Sequence, residues 1–252
     1  MLLAIDVGNT NIVLGVIDGN TQVISGRLST NIDLTDQEYA MKLSAFLNLH
    51  QVQGIDDAII ASVVPALNGT LKRAVKIVTG ATALIVGPGI KTGLSIKIDD
   101  PAQLGADMVV GAVAAKEKYP LPAIIFDLGT ATTASVLDKN GAFLGAIITT
   151  GVKTSLKALT AGTALLPQID LTAPKNVIGT NSIDSMKSGA VIGTACMLDG
   201  FIDRIEKELG EQASVIVTGG LGTAIAKNCT HSIIIDNDLL IDGLRIIYEK
   251  NK

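Results

Sequence analysis

The sequence predicts an α/β protein made of two similar halves, each a sheet with helices packed on it. Three observations carry that prediction. Short uninterrupted apolar runs alternate with stretches of helical spacing, the pattern of buried strands joined by helices. The stretch AIDVGNTNIVLGVID at 4–18 delivers Asp6 from an apolar run into a glycine turn and out into a second apolar run. The stretch IFDLGTATTASVLD at 125–138 repeats that device around Asp127, close to half a chain length later.

Taken in order, residues 2–5 form a strand, Gly8-Asn9-Thr10 turn the chain, and 12–17 return as a second strand. Gly and Asn at this turn are expected to supply positive φ. Asp18-Gly19-Asn20 is a hairpin signal leading to a third strand at 22–28. Thr35 and Glu38 are spaced as a capping box that opens a helix through about Leu49. A buried strand covers 58–64, Pro65 suits the first turn of a helix ending near Val78, and 83–86 is the next strand. Residues 88–101 are rich in turn formers and lack clean periodicity, and a helix follows over 102–118. The second half restarts with a strand at 123–128, a turn at 130–133, a strand to Leu137, a turn at 138–141 and a strand at 143–148. A helix at 152–161, a looped passage at 167–180 and helical spacing over 182–209 come next. In the last of these, Gly189, Ala190, Gly193 and Ala195 are small enough for another helix or chain to pack closely. A strand at 214–217 ends in Thr218-Gly219-Gly220, and a short strand at 232–235 and a helix from Asp238 close the chain. The predicted division is 1–118 and 119–252.

Composition removes several function classes. Hydrophobic residues make up 48% and charged ones 17%, yet no apolar run approaches the ~18 residues of a membrane-spanning helix. The first residues have no basic segment and Asp6 interrupts their apolar run, so no secretory leader is expected and a cytoplasmic location is. A net charge of −4, no Trp and 3% aromatics argue against nucleic-acid binding. Cys196 and Cys229 have neither metal nor redox spacing and read as buried free thiols. His50 and His231 stand far apart without partners in sequence and read as surface or helix-end residues; Lys91 reads as a solvated loop charge and Met108 as core.

The paired turns carry the chemistry. Backbone amides and hydroxyls at a glycine turn suit an anion, and a carboxylate beside them can hold a hydrated divalent cation. In a Rossmann or P-loop unit a helix would follow the turn; here a β-branched strand does. One such turn alone is equally an ordinary hairpin carrying an aspartate. Two of them, with matching flanks and half-chain spacing, read as one bipartite phosphate site.

Two β-β-β-α-β-α-like halves, each opening with an acidic glycine turn, resemble the actin-like sugar and acetate kinase superfamily, whose duplicated, ribonuclease H-like halves surround a central cleft. Within it the chain is similar to the type III pantothenate kinases through seven ordered blocks: DVGNT at 6–10, PGIKTGL at 88–94, LGAD at 104–107, DLGTATT at 127–133, IGTNS at 178–182, VTGG at 217–220 and DGLRIIYEKN at 242–251. The resemblance implies ATP-dependent phosphorylation of pantothenate, the opening step of coenzyme A synthesis. It implies that Asp6 holds Mg²⁺, with Gly8, Asn9, Thr10 and Asn11 as a first phosphate loop. Gly129, Thr130, Thr132 and Thr133 would form the second loop, and Asp127 would attend a K⁺ or NH₄⁺ ion. Gly219 and Gly220 would lie against the nucleoside. Asp107 would be the base that takes the proton of the attacking hydroxyl; apart from LGAD it reads equally as an acid capping or pairing in the first turn of its helix. Ser182 would reach the substrate site of the partner in a homodimer.

The acceptor side departs from the family pattern. The usual tyrosine, acid, asparagine and proline, running on to Gly-x-Asp-Arg, is represented by Ile98-Asp99-Asp100-Pro101 and Gly105-Ala106-Asp107-Met108. The usual Ala-Pro-Gly is Thr149-Thr150-Gly151. Losing a charged hydrogen bond to a substrate carboxylate costs about 1.5–3 kcal/mol. Lys91, Lys97 and Lys153 are the cations available to compensate. Three functions are therefore weighed: a pantothenate kinase, a kinase of the same fold acting on another small alcohol, and a non-catalytic nucleotide- or metabolite-sensing relative. Retention of Asp6, Asp107 and Asp127 counts against the third.

Overall fold

The opening apolar run forms β1 (Leu2–Val7), buried along its whole length. Its residues alternate between two cores: Leu3, Ile5 and Val7 join one, and Leu2 and Ala4 the other. Burial on both faces is why the run shows no polar alternation, and each large aliphatic side chain so buried contributes about 1.5–3 kcal/mol. This computed structural model describes residues 1–252. From β1 the chain returns antiparallel as β2 (Asn11–Asp18) and again as β3 (Thr21–Ser29), with Gly19 at the second turn in the left-handed region, φ +58°.

Helix α1 (Asp36–Leu49) opens on the expected capping box: Glu38 N–H donates to Thr35 Oγ1 at 3.3 Å, and Thr35 N–H to Glu38 Oε2 at 2.8 Å. β4 (Asp57–Ser62) pairs parallel with β1, α2 (Pro65–Thr79) follows, and β5 (Leu84–Ile85) extends the sheet. A two-residue strand, β6 (Ser95–Ile96), lies in the turn-rich passage, and a 3₁₀ turn at Pro101–Gln103 precedes α3 (Ala106–Lys118). The second half runs β7 (Ala123–Leu128), β8 (Ala131–Leu137), β9 (Ala142–Thr150), α4 (Val152–Ala161) and α5 (Ser182–Lys187). One π turn, Ser188–Ile192, joins α5 to α6 (Gly193–Leu209). β10 (Ser214–Thr218), α7 (Gly222–Ala226), β11 (Ile234–Ile235) and α8 (Leu239–Asn251) complete the chain.

The first sheet has the order β3-β2-β1-β4-β5 and the second β11-β10-β7-β8-β9-β6. Each is mixed: an antiparallel three-stranded meander, a strand parallel to its first member, and a short parallel strand beyond. Even the register irregularities recur, at Val16/Ile17 and at Val136/Leu137. β6 is the addition that breaks the correspondence, pairing parallel with β9.

The residues pack as two compact units. One comprises Met1–Leu94, Asp99–Ala114 and Asp238–Lys252; the other comprises Ser95–Ile98 and Ala115–Asn237. In the first, the sheet face carrying Leu3, Ile5 and Val7 is covered from α1 and α2 by Leu43, Phe46, Leu67 and Leu71. The opposite face is covered by Val109, Val110 and Val113 of α3 with Ile241, Leu244 and Ile247 of α8. The last helix thus closes the first unit although it follows the second in sequence. In the second unit Ile124, Phe126 and Leu128 pack with Val191, Leu198, Ile202 and Ile225.

Several expectations are corrected. Thr132 and Thr133 lie on β8 and not in a turn, because the turn before them closes one residue sooner than its counterpart at Gly8. Neither Gly8 nor Asn9 adopts positive φ. Cys196 is exposed on α6; Cys229 is half-buried, and burial, with Asp199 nearby, pushes its thiol up to about 12. Met108 is half-buried and lies outside the apolar cluster that its neighbour Val109 joins. No helix is long and apolar enough to cross a membrane.

Candidate active site

In the first unit, β1 carries Asp6 to its end and leaves it 8% exposed. The turn beyond is tight: Gly8 N–H donates to Asn11 O at 2.9 Å, and Asn9, Thr10 and Asn11 are exposed. A side chain at Gly8 would place its Cβ 3.1 Å from Asn11 O, so the glycine serves the closeness of this turn. Thr30, just past β3, grips the turn from behind, its hydroxyl donating to Gly8 O at 2.7 Å and its N–H to Thr10 O at 3.0 Å.

Asp107 lies in the first turn of α3, and its place follows from backbone contacts. Val63, directly after β4, donates its N–H to Val7 O at 3.0 Å, and its Cγ1 would be 3.8 Å from a Cβ on Gly105. The start of α3 is therefore at the carboxyl ends of β1 and β4, the same end as the Gly8 turn, where open α/β sheets hold ligands. Gly105 leaves room for the Asp107 carboxylate, since a Cβ there would come 2.5 Å from Asp107 Oδ1 and make the side chain shift. That oxygen accepts the Met108 N–H at 2.8 Å. Burial pushes the Asp107 carboxyl above the ordinary carboxylate range, against the opposing pull of the Met108 N–H. A carboxylate poorly solvated yet held at a helix start is suited to taking a proton.

The second unit repeats the device around Asp127. Gly129 N–H donates to Ala131 O at 3.0 Å, leaving Gly129, Thr130 and Ala131 exposed. Thr133 is half-buried, whereas Thr132 is 2% exposed and its Oγ1 has no hydrogen-bond partner. The Thr130 carbonyl accepts from Gly151 N–H at 3.1 Å and from the Thr154 hydroxyl at 2.8 Å, both at the start of α4. Gly151 admits no side chain, since a Cβ would stand 2.3 Å from Gly129 O. Beside β7, Thr218 of β10 is in register with Asp127, and Gly219 follows with φ +91°. A Cβ on Gly219 would meet Asp127 Oδ1 at 2.6 Å and Leu128 O at 2.8 Å. Gly220 next to it is exposed.

Ile98 belongs to the second unit, half-buried, while Gly105, Ala106, Asp107 and Met108 belong to the first. Asp100, where the family pattern has asparagine, caps the 3₁₀ turn by accepting the Ala102 N–H at 3.1 Å. Ser182 is exposed at the start of α5, on the rim of a cavity of about 980 Å³ that Thr149, Thr150, Ser155 and Met186 also line. Of the three lysines, Lys91 holds its backbone to Asn251 of α8, its N–H donating to Asn251 Oδ1 at 3.0 Å. Lys97 N–H donates to Phe143 O at 2.8 Å, and Lys153 is exposed on α4. His50 packs edge-on to Phe46, and His231 Nε2 lies 2.8 Å from Asp203 Oδ1; no group of three or more His, Cys, Asp or Glu forms a metal cluster. Sequence reading did not single out Thr30, Gly105's steric role or Thr154. A hydroxyl just past the third strand of the first half, and one in the first turn of the helix after the third strand of the second, were the available signals.

Comparison with known proteins places these features in context. A family model described as type III pantothenate kinase matches residues 2–204. A type III pantothenate kinase of Halalkalibacterium halodurans is 43% identical over 253 residues, spanning 100% of both chains. Among solved structures, a conserved Baf family transcriptional activator from Campylobacter jejuni aligns with TM-score 0.61 at 19% identity, covering 99% of this chain and 98% of that one. The activator of 2-hydroxyisocaproyl-CoA dehydratase from Clostridium difficile, with bound ADPNP, aligns with TM-score 0.56 at 12% identity, covering 99% and 95%. At these identities the two structures speak to the fold alone, which is the duplicated actin-like α/β fold.

Proposed function

Because the chain belongs to the type III pantothenate kinase family, we infer that it is an ATP-dependent phosphotransferase acting on the alcohol group of pantothenate, the first step of coenzyme A synthesis. The observation that carries the mechanism is Asp107: a half-buried carboxylate at the start of α3, at the sheet end that also bears Asp6 and the Gly8 turn. The pantothenate hydroxyl oxygen attacks the γ-phosphorus and the bond from that phosphorus to the β–γ bridging oxygen breaks. Asp107 takes the hydroxyl proton, and ADP leaves. The exposed turns at Asn9–Asn11 and Gly129–Ala131 bind phosphate oxygens through amides and hydroxyls, with Gly219 and Gly220 beside the nucleoside. Thr132 and Thr133 contribute from the first residues of β8, where the buried Thr132 hydroxyl has no hydrogen-bond partner.

The cation roles fit the donors present. Asp6 supplies one carboxylate beside the first phosphate turn, the kind of ligand that takes Mg²⁺ together with nucleotide phosphates and water. There Asp6 would hold Mg²⁺, which would supply neutralisation of phosphate charge. Asp127, in register with Thr218 at the end of β7, supplies a hard carboxylate oxygen of the kind suited to K⁺ or NH₄⁺. Turnover is accordingly expected to fall at least about tenfold when sodium replaces potassium, the worth of one charge-assisted contact. Asp127→Ala removes the difference between the two salts. Equal rates of the unaltered protein in sodium and potassium buffers contradict the assignment. The enzyme works in the cytoplasm as a homodimer, in which the exposed Ser182 of each subunit serves the acceptor site of the other.

Ile98 and Met108 favour a second reading, a different small alcohol as acceptor, and steady-state kinetics separates the two. If pantothenate binds a weakened pocket, Ile98→Tyr with Met108→Arg lowers its KM about tenfold or more, through one recovered charged hydrogen bond and one hydroxyl. If the pocket is built for a less acidic alcohol, the new arginine lacks an anionic partner. The double variant then melts earlier and gains nothing in kcat/KM for pantothenate.

A further inference from the structure

We propose that Thr30 and Thr154 are positioning residues that hold the carbonyls of the two phosphate turns back, so that the turns offer nucleotide phosphates their amides. The proposal rests on the kinase reading above and goes beyond it, because neither threonine belongs to the turns themselves.

The two units build related arrangements on the same three-stranded meander. Each turn is closed by its glycine, Gly8 onto Asn11 O in the first and Gly129 onto Ala131 O in the second. The residue before each closing acceptor, Thr10 or Thr130, has its carbonyl capped by a backbone N–H from the residue directly after the third strand of its meander. That donor is Thr30 at 3.0 Å in one case and Gly151 at 3.1 Å in the other. In each turn a threonine hydroxyl adds a second short bond to a carbonyl: Thr30 Oγ1 to Gly8 O at 2.7 Å, and Thr154 Oγ1 to Thr130 O at 2.8 Å. The backbone caps come from equivalent places after the third strand, whereas the hydroxyls differ in origin: Thr30 directly follows a strand and Thr154 lies in the first turn of a helix.

The chemistry gives the arrangement a purpose. In a trans peptide the C=O and N–H point to opposite sides, so fixing a carbonyl backwards fixes the N–H of the same peptide forwards. Holding Gly8 O aims the Asn9 N–H, holding Thr10 O aims that of Asn11, and holding Thr130 O aims that of Ala131. A carbonyl free to swing toward a phosphate would set one partial negative charge against another. Amides pre-set toward an anion need no reorganisation when it binds. The absence of room for a Cβ at Gly151, 2.3 Å from Gly129 O, keeps α4 close enough for the Thr154 hydroxyl to reach.

The test uses full-length protein with Thr30→Val, Thr154→Val and the conservative Thr30→Ser and Thr154→Ser. Binding of the non-hydrolysable nucleotide AMP-PNP is measured by calorimetry without acceptor, followed by steady-state kinetics and thermal melts. Each valine variant is expected to weaken AMP-PNP binding and raise the KM for ATP about threefold to tenfold, the loss of one hydrogen bond. The acceptor KM stays within about twofold, and each serine variant returns to wild-type nucleotide affinity. Valine variants with wild-type nucleotide affinity overturn the proposal. So does a drop in kcat that tracks the melting temperature while the KM for ATP is unchanged, which is the signature of a structural role alone. Wild-type protein that binds no AMP-PNP overturns the kinase reading as well, and that result is read before any variant is compared.

Discussion

Asp107→Asn is expected to lower kcat by about 10²–10⁴-fold, the usual worth of a positioned general base, while AMP-PNP binding is retained. In the proposed mechanism the base acts on the acceptor hydroxyl and not on the nucleotide. Asparagine keeps the oxygen that accepts the Met108 N–H, so the start of α3 survives the change. The pKa direction adds two further readouts. Because burial raises the Asp107 carboxyl, the active, ionised form is lost as pH falls through a value above the ordinary carboxylate range. The acid limb of kcat/KM should therefore lie higher than that of a solvated aspartate. For stability the sign is the opposite: a group whose folded pKa is raised favours the fold at low pH and loses that contribution as pH rises. The neutral asparagine should then melt no earlier than wild type at neutral pH. Near wild-type turnover in Asp107→Asn would remove this residue from the chemistry.

Gly219→Ala should be nearly as damaging, for a steric reason. At φ +91° an alanine is strained by about 1–3 kcal/mol before any contact is made. Its Cβ would also stand 2.6 Å from Asp127 Oδ1 and 2.8 Å from both Leu128 N and Leu128 O. Either the Asp127 carboxylate or the end of β7 must move, and a displacement of about 1 Å in a site of this kind costs on the order of 10²-fold in rate. We expect a stability loss of about 2–5 kcal/mol, a combined loss of activity and potassium dependence, and a raised KM for ATP. Calorimetric melts with kinetics in potassium and in sodium check it. A Gly219→Ala protein with wild-type potassium response would show that Asp127 is not fixed by this contact.

The two acid-bearing hairpins were legible because buried strands write themselves as apolar runs and the turn residues interrupt them at matching places. β1, β2, β7, α1 and α4 follow the sequence closely for the same local reasons, including the Thr35–Glu38 box and Pro65 at the start of α2. What was not legible depends on partners distant in sequence. β6 is two residues long and exists through pairing with β9, which no periodicity in 88–101 encodes. The shorter second turn put Thr132 onto a strand, and only the Gly129–Ala131 bond reveals it. Helix α8 shows an apolar face, but sequence does not say that the face covers Leu2 and Ala4. Cys196 looked like a core thiol until its side of α6 proved solvent-facing. In the candidate site, the Asp-Gly turns and LGAD announced themselves, whereas Thr30 and Thr154 act on carbonyls 22 and 24 residues away and carry no motif.

The most direct measurement of the kinase assignment is product analysis of the unaltered protein with ATP, Mg²⁺, K⁺ and pantothenate, following ADP release and the phosphorylated product by ³¹P NMR and mass spectrometry. Stoichiometric formation of 4'-phosphopantothenate and ADP is the expected result. ATP left intact with pantothenate, but consumed with a different small alcohol, would contradict it.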